Sequence, residues 1–281
     1  MSCEPLSLDR EIADFPIANI PLRDHQAMVL QQSGIKVDLR HDPHAWLEVS
    51  DLRQLAESHR TTLIDDQGNP VAWCGEKPDL SSVMLAAESF VIQFPWDLLK
   101  ANEHFIGQHG EPSIAGEVHP SAVIEGVAVI GEGTRILPGV FIEGNVVIGK
   151  NCKIGPNCYI RGNTSIGDKC HIGQSVEIKN CLILSQTNVG HLSYVGDSVL
   201  GHRVNFGAGT TVSNLRHDGQ NHRSMVDGKL IDTGRRKFGT IVGDNVHTGI
   251  NTSVYPGRKF WPATSTLPGE VVKHDVRSFF H

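Results

Sequence analysis

Residues 118–184 read VHPSAVIEGVAVIGEGTRILPGVFIEGNVVIGKNCKIGPNCYIRGNTSIGDKCHIGQSVEIKNCLIL, and their spacing decides the architecture. Stepping by six from Val118 meets Ile124, Ile130, Ile136, Ile142, Ile148, Ile154, Ile160, Ile166, Ile172, Ile178 and Leu184, an aliphatic at every position. If roughly one position in four were Ile, Leu or Val by chance, such a run would have odds on the order of 10⁻⁷. A second register, four residues further on, holds Ala122, Ala128, Thr134, Val140, Val146, Cys152, Cys158, Thr164, Cys170 and Val176, with Leu182 the bulky exception. A period of six fits neither a 3.6-residue helix nor a simple alternating strand, and suits short strands joined by tight corners. Gly131, Gly149, Gly155, Gly167 and Gly173 follow the aliphatic directly, where a missing Cβ permits a sharp bend. The pattern predicts a mainly β protein built on a parallel β-helix. Three six-residue sides close a triangular coil with the large aliphatics inside, and stacked coils pair main chain to main chain at about 4.8 Å per layer.

Outside this run the totals narrow the function. The 281 residues suffice for two domains, and 29 glycines with 6% aromatics suit thin coils. A net charge of −6, a pI near 6.2 and the lack of a long basic stripe argue against nucleic acid as a partner. No apolar run approaches the roughly 18 residues of a membrane span. The opening Met1 to Phe15 carries Glu4, Asp9, Glu11 and Asp14 where a signal peptide would be basic, so a cytoplasmic location and no membrane partner are expected. Cys152, Cys158 and Cys170 fall in the small register and read as reduced packing residues, and Cys3, Cys74 and Cys181 show no CxxC pairing.

Residues 1–113 lack the hexad and read as a small α/β domain. Leu22 to Ser33 predicts an amphipathic helix stopped by Gly34, and Asp51 to Ser58 a second with Ser50 as N-cap. Thr61 to Asp65 and Val71 to Cys74 flank Asp66-Gln67-Gly68-Asn69-Pro70, which is hairpin chemistry. Pro95 opens a third helix through Trp96, Leu98, Leu99 and Phe105, ending near Gly107, and Gly110 to Gly116 is the expected hinge into residues 114–281. Past Leu184 the hexad continues through Leu200, Phe206 and Val212, breaks, and resumes near Val242, Val254 and Phe260. The interruption, 213–240, is a long basic loop. Arg216, Arg223, Lys229, Arg235, Arg236 and Lys237 against Asp218, Asp227 and Asp232 leave it +3, which favours a phosphate-bearing ligand.

Two kinds of family resemblance follow. Ala18-Asn19-Ile20-Pro21-Leu22-Arg23-Asp24-His25-Gln26 and Phe94-Pro95-Trp96-Asp97-Leu98-Leu99-Lys100-Ala101-Asn102-Glu103 resemble sugar nucleotidyltransferases fused to hexapeptide domains, without their glycine-rich nucleotide loop. The domain therefore resembles a truncated nucleotidyltransferase, and nucleotidyl transfer is not expected of it. His191-Leu192-Ser193-Tyr194-Val195-Gly196-Asp197, Val204-Asn205-Phe206-Gly207-Ala208-Gly209-Thr210 and Asn214 resemble the acetyltransferase domain of the bifunctional glucosamine-1-phosphate acetyltransferase and N-acetylglucosamine-1-phosphate uridylyltransferase family. Asn214-Leu215-Arg216-His217-Asp218-Gly219 and Thr233-Gly234-Arg235-Arg236-Lys237 look like its archaeal-type members.

This resemblance implies a left-handed β-helix, a homotrimer, and acetyl-CoA as cosubstrate in a groove between adjacent β-helices, acting on a hexosamine 1-phosphate for nucleotide-sugar biosynthesis. Only a neutral amine attacks a thioester, so a base is needed, and an imidazole with an ordinary pKa near 6.5 suits the task. The resemblance makes His191 that base. It assigns Arg161 and Lys179 to the sugar phosphate, Tyr194 and Asn205 to substrate positioning, and Asn214 to the oxyanion or the amine. Ala208 and the Gly249-Ile250 stretch match pantetheine contacts. Where the family carries lysines after the Asn214 position, this chain has Gln220, His222 and Arg223, with Arg223 the stand-in cation. A zinc site from His217, His222 and His247 has no matching spacing, and no metal is expected. The competing readings are an acyltransferase on a nucleotide-linked amino sugar and a non-catalytic regulatory or scaffolding β-helix.

Overall fold

The computed structural model describes residues 3–35 and 38–277. Its chain divides into two compact units. The division falls between Phe94 and Pro95 rather than at the glycine-rich hinge expected near residue 113, so the third helix belongs with the β-helix.

The first unit comprises Asp9–Pro16 and Ile20–Phe94. Its α1 (Leu22–Ser33) ends at Gly34 with φ +69, as the sequence predicts. Its α2 (Val49–Glu57) starts earlier than expected, with Glu48 at the N-cap position and Ser50 inside the helix. The Asp51 carboxylate accepts main-chain N–H groups of Ala87, Glu88 and Ser89 at 2.9, 3.0 and 2.6 Å. The expected hairpin forms between Thr62–Ile64 and Pro70–Cys74 inside a four-stranded sheet. Leu52, Leu55, Leu63 and Val71 fill the core beneath it.

The second unit contains Ile17–Asn19 and everything from Pro95 onward, together with the segment ending at Leu8. Its three parallel sheets have six, eight and eight strands and form the faces of a prism. Val118, Ile136, Ile154 and Ile172 pair in register on the first sheet, Ile124, Ile142, Ile160 and Ile178 on the second, and Ile130, Ile148 and Ile166 on the third. One step of six thus crosses one corner, and three steps make an eighteen-residue coil. Each interior aliphatic removed from water contributes roughly 1.5–3 kcal/mol, so the repeat itself is the core.

Three details depart from the reading of the repeat. Ile166 pairs with Ile183, not Leu184, because the corner after Ile178 is one residue shorter and that coil has seventeen residues. The same slip resolves the Leu182 exception. Cys181, fully buried, takes the small position above Thr164, with its N–H 3.2 Å from Thr164 Oγ1. Four of the five glycines following the aliphatic have no positive φ, Gly155 being the exception at +100°. They are required by close stacking instead: a Cβ on Gly173 would lie 1.8 Å from the Gly190 carbonyl oxygen.

The third sheet is apolar on both faces, and α3 (Pro95–Gly107) covers its outer one. Asn102, fully buried on α3, accepts from Ser165 Oγ at 2.6 Å and donates to the Asn163 carbonyl at 3.2 Å. The interruption at 213–240 is not only loop. Arg223–Val226 and Lys229–Asp232 form an antiparallel hairpin turned by Asp227 and Gly228, both at positive φ. Asp-Gly between two short strand-formers is the signal that the sequence reading passed over.

Candidate active site

The coil construction assigns each candidate residue to a face or a corner. His191 ends the strand Asn188–His191 on the first sheet and sits opposite Gln174 at the corner leading to the second sheet. Its carbonyl accepts the Gly209 N–H at 3.1 Å, the Ala208 carbonyl accepts that of Asn251 at 2.7 Å, and the Ile250 carbonyl accepts that of Gly269 at 2.7 Å. His191, Ala208 and Ile250 therefore stand one above another along a single edge. Gly190, Gly207 and Gly249 run beside them: a Cβ on Gly207 or Gly249 would strike the main chain of the next coil, whereas Gly190 borders open space with nothing within 4 Å. His191 is exposed, and its imidazole makes no hydrogen bond among the described residues. The neighbouring His171 is held below the usual histidine range by burial first, then by Lys153 and His191.

A second group lies on the second sheet and the corner beyond it. Arg161 and Lys179 are direct ladder partners, and Tyr194 stacks above Glu177. Lys179 Nζ reaches both carboxylate oxygens of Asp197. The same carboxylate accepts from Asn180 Nδ2 and Asn214 Nδ2, and Asn214 Nδ2 also donates to Tyr194 Oη at 3.0 Å. Burial, then the Asp197 and Glu177 charges, push the Tyr194 phenol upward. The space for this cluster exists because Gly196 has no side chain: a Cβ there would lie 2.6 Å from both Asn214 Nδ2 and Tyr194 Oη.

The expected cationic pocket is charge-balanced. Arg161 gives Nε and Nη2 to Glu177 Oε1 at 2.9 and 2.7 Å, and that hydrogen bond raises its pKa further. The two ion pairs differ in burial. Arg161 and Glu177 are about one third exposed, so opening that pair costs about 0.2–1 kcal/mol and leaves the guanidinium free to hold an arriving phosphate. Lys179 and Asp197 are 15% and 3% exposed, and separating them is far more costly. On this chemistry Arg161 fits the phosphate role better than Lys179, which anchors Asp197.

Asn214 is likewise narrowed. Both Nδ2 hydrogens are spent on Asp197 and Tyr194, and the carboxylate fixes which way the amide faces. Its Oδ1 accepts no hydrogen bond among the described residues, so it offers an acceptor, suited to an amine N–H rather than an oxyanion. Its main chain is clamped as well, since His222 Nε2 and the Phe238 N–H both reach the Asn214 carbonyl, at 2.9 and 3.0 Å. His222 is buried, which lowers its pKa first of all.

The remaining candidates stand apart from this cluster. Asn205 lies on the first sheet opposite Asn188, and Arg223 is exposed at the start of the hairpin opposite Asp232. Of Gln220, His222 and Arg223, it is His222 whose side chain reaches Asn214. His217, His222 and His247 do not bring their ring nitrogens to a common ligand distance. Asp197 closes the His191–Asp197 stretch, but nothing in its spacing marks it as a carboxylate that Lys179, Asn180 and Asn214 share. A groove of about 470 Å³ opens beside Asn214, with Leu215, Arg216, His217 and Tyr255 among its walls.

Fold and site together define a class: a hexapeptide-repeat parallel β-helix with an open histidine-bearing edge and a buried, charge-balanced polar cluster on the adjoining sheet. Comparison with known proteins places it more closely. Residues 142–259 match the family described as the GMPPB C-terminal domain. A bifunctional sugar-1-phosphate nucleotidylyltransferase/acetyltransferase of Sulfurisphaera tokodaii is 38% identical over 182 residues, 65% of this chain and 45% of that protein. The bifunctional protein GlmU of Methanococcus aeolicus is 41% identical over 185 residues, 64% of this chain and 44% of that protein. That of Methanococcus maripaludis strain C7 is 48% identical over 168 residues, 60% and 40% of the two chains. The matched part of this chain is homologous to these bifunctional proteins, and the chain spans less than half of their length. Among the described residues no helix is long and apolar enough to cross a membrane.

Proposed function

We propose that this chain is an acetyl-CoA-dependent N-acetyltransferase acting on a hexosamine 1-phosphate, with glucosamine 1-phosphate the first substrate to test. The observation that carries the reading is the stacking of His191, Ala208 and Ile250 on one open edge, within the region homologous to named acetyltransferases. In this mechanism the neutral His191 imidazole takes a proton from the sugar ammonium. The freed amine attacks the thioester carbonyl carbon, its nitrogen gives up its second proton to solvent, and the C–S bond breaks with the coenzyme thiolate taking the proton held on the imidazolium. Asn214 Oδ1 accepts the second amine N–H and aims the lone pair. Arg161, released from Glu177, holds the phosphate.

Among the described residues no hydrogen bond joins the His191 group to the Asn214 group, and a second copy that brings the two together would complete the site. A homotrimer in which the edge of one β-helix faces the polar cluster of the next closes it, with acetyl-CoA lying between. The reading is tested by incubating the chain with acetyl-CoA and assaying thiol release, which should depend on the amino sugar phosphate. Release from an acyl-carrier-protein donor in place of acetyl-CoA would favour the nucleotide-linked reading, and no coenzyme binding by calorimetry the scaffolding one.

A further inference from the structure

We propose that Glu103 and Arg235 are positioning residues for the amino-sugar end of this site, a strap that fixes Asn214 from two directions. The proposal rests on the acetyl-transfer reading of that face. Glu103 lies on α3, and Arg235 on the returning end of the insertion. The Arg235 guanidinium binds both Glu103 carboxylate oxygens, with Nη1 3.0 Å from Oε2, and the two side chains are 18% and 24% exposed. Among the described residues Arg235 Nε is buried without a hydrogen-bond partner, a cost that stability alone gives no reason to bear.

Two routes lead from this pair to Asn214. Along the side chains, Glu103 accepts from Asn180 Nδ2, Asn180 Nδ2 donates to Asp197, and Asp197 accepts from Asn214 Nδ2. Along the main chain, the Arg235 carbonyl accepts the His222 N–H at 2.8 Å, and His222 Nε2 reaches the Asn214 carbonyl. One route holds the Asn214 amide and the other its backbone, so the free Oδ1 is aimed only while both are intact. Neither Glu103 nor Arg235 stands on the His191 edge. Loss of the strap should therefore disturb amino-sugar binding and leave the acyl donor alone.

The test compares Glu103→Gln, Arg235→Gln, Arg235→Lys and the double glutamine variant in steady-state kinetics with both substrates varied. Each glutamine variant should raise KM for the amino sugar phosphate tenfold or more, with KM for acetyl-CoA within twofold. Arg235→Lys should recover part of the loss, and the double variant should be no worse than the poorer single one, because both lose the same link. Equal increases in both KM values, or none, would overturn the proposal. Hydrogen exchange gives a readout independent of turnover. The amides of His222 and Phe238 should exchange at least tenfold faster in Glu103→Gln, while that of Gly201, bonded to Val242 in the coil stack, stays unchanged. Unchanged exchange at His222 and Phe238 overturns the strap whatever the activity. Absence of transfer by the unaltered chain overturns the reading beneath it, and the exchange data then decide the strap by themselves.

Discussion

Lys179 Nζ lies 3.0 and 2.9 Å from the two carboxylate oxygens of Asp197, whose side chain is 3% exposed. Removing one partner of such a pair leaves a buried charge uncompensated, which typically costs about 3–5 kcal/mol. Lys179→Met is therefore expected to destabilise the β-helix by about that amount in urea unfolding. Arg161→Met, which breaks the more exposed pair with Glu177, should cost no more than about 1 kcal/mol while weakening binding of the sugar phosphate. Equal losses for the two would show that burial does not separate their roles.

His191→Ala should lower kcat by about 10²–10⁴-fold with an unchanged melting temperature, because the side chain is exposed, makes no hydrogen bond among the described residues and, in the proposed mechanism, serves as the base. Unaltered turnover would remove the imidazole from the mechanism.

If the edge and the cluster meet across copies, inactive His191→Ala and Asn214→Ala chains should complement one another. After mixed refolding at equal amounts, about a quarter of sites would combine an intact His191 from one chain with an intact Asn214 from another. Recovery of activity toward that fraction checks it by simple assay, and a mixture as inactive as its components would place the site within one chain.

Glycine substitutions should separate stacking from site space. Gly173→Ala puts a Cβ against the Gly190 carbonyl and is expected to destabilise by at least the 1–3 kcal/mol or so of ordinary overpacking. Gly190→Ala meets nothing within 4 Å and should leave stability within about 0.5 kcal/mol. Gly196→Ala intrudes on Asn214 and Tyr194, so its main effect should be a tenfold or larger fall in kcat/KM. Thermal unfolding and kinetics on the three variants distinguish these outcomes.

Burial depresses the pKa of His222 and of His171 in the folded chain. The unfolded chain, with histidines near 6.5, then binds more protons than the folded one just below that pH. Stability should accordingly be full above about pH 6.5 and fall as the pH drops through that value toward the lower folded pKa values. Unfolding midpoints between pH 7.5 and 5 check this, and His222→Gln, which keeps an N–H donor for the Asn214 carbonyl, should flatten the slope.

The hexad determined the architecture by itself. A large aliphatic every six residues leaves no other way to bury all of them than a three-sided coil, and the register from Ile130 to Ile148 to Ile166 follows from counting. The helices at Leu22–Ser33 and Pro95–Gly107 were equally legible, because their stop and start signals are local. Tertiary structure alone decided the rest. The one-residue slip that seats Cys181 above Thr164 depends on corner geometry, which a period count absorbs without trace. Asp197 gathers the adjacent Lys179 and Asn180 together with the distant Asn214, and Glu103 meets Arg235 across 132 residues. Spacing can say which residues share a face of a coil. It cannot say which charges neutralise one another there, because that depends on how deeply each pair is withdrawn from water.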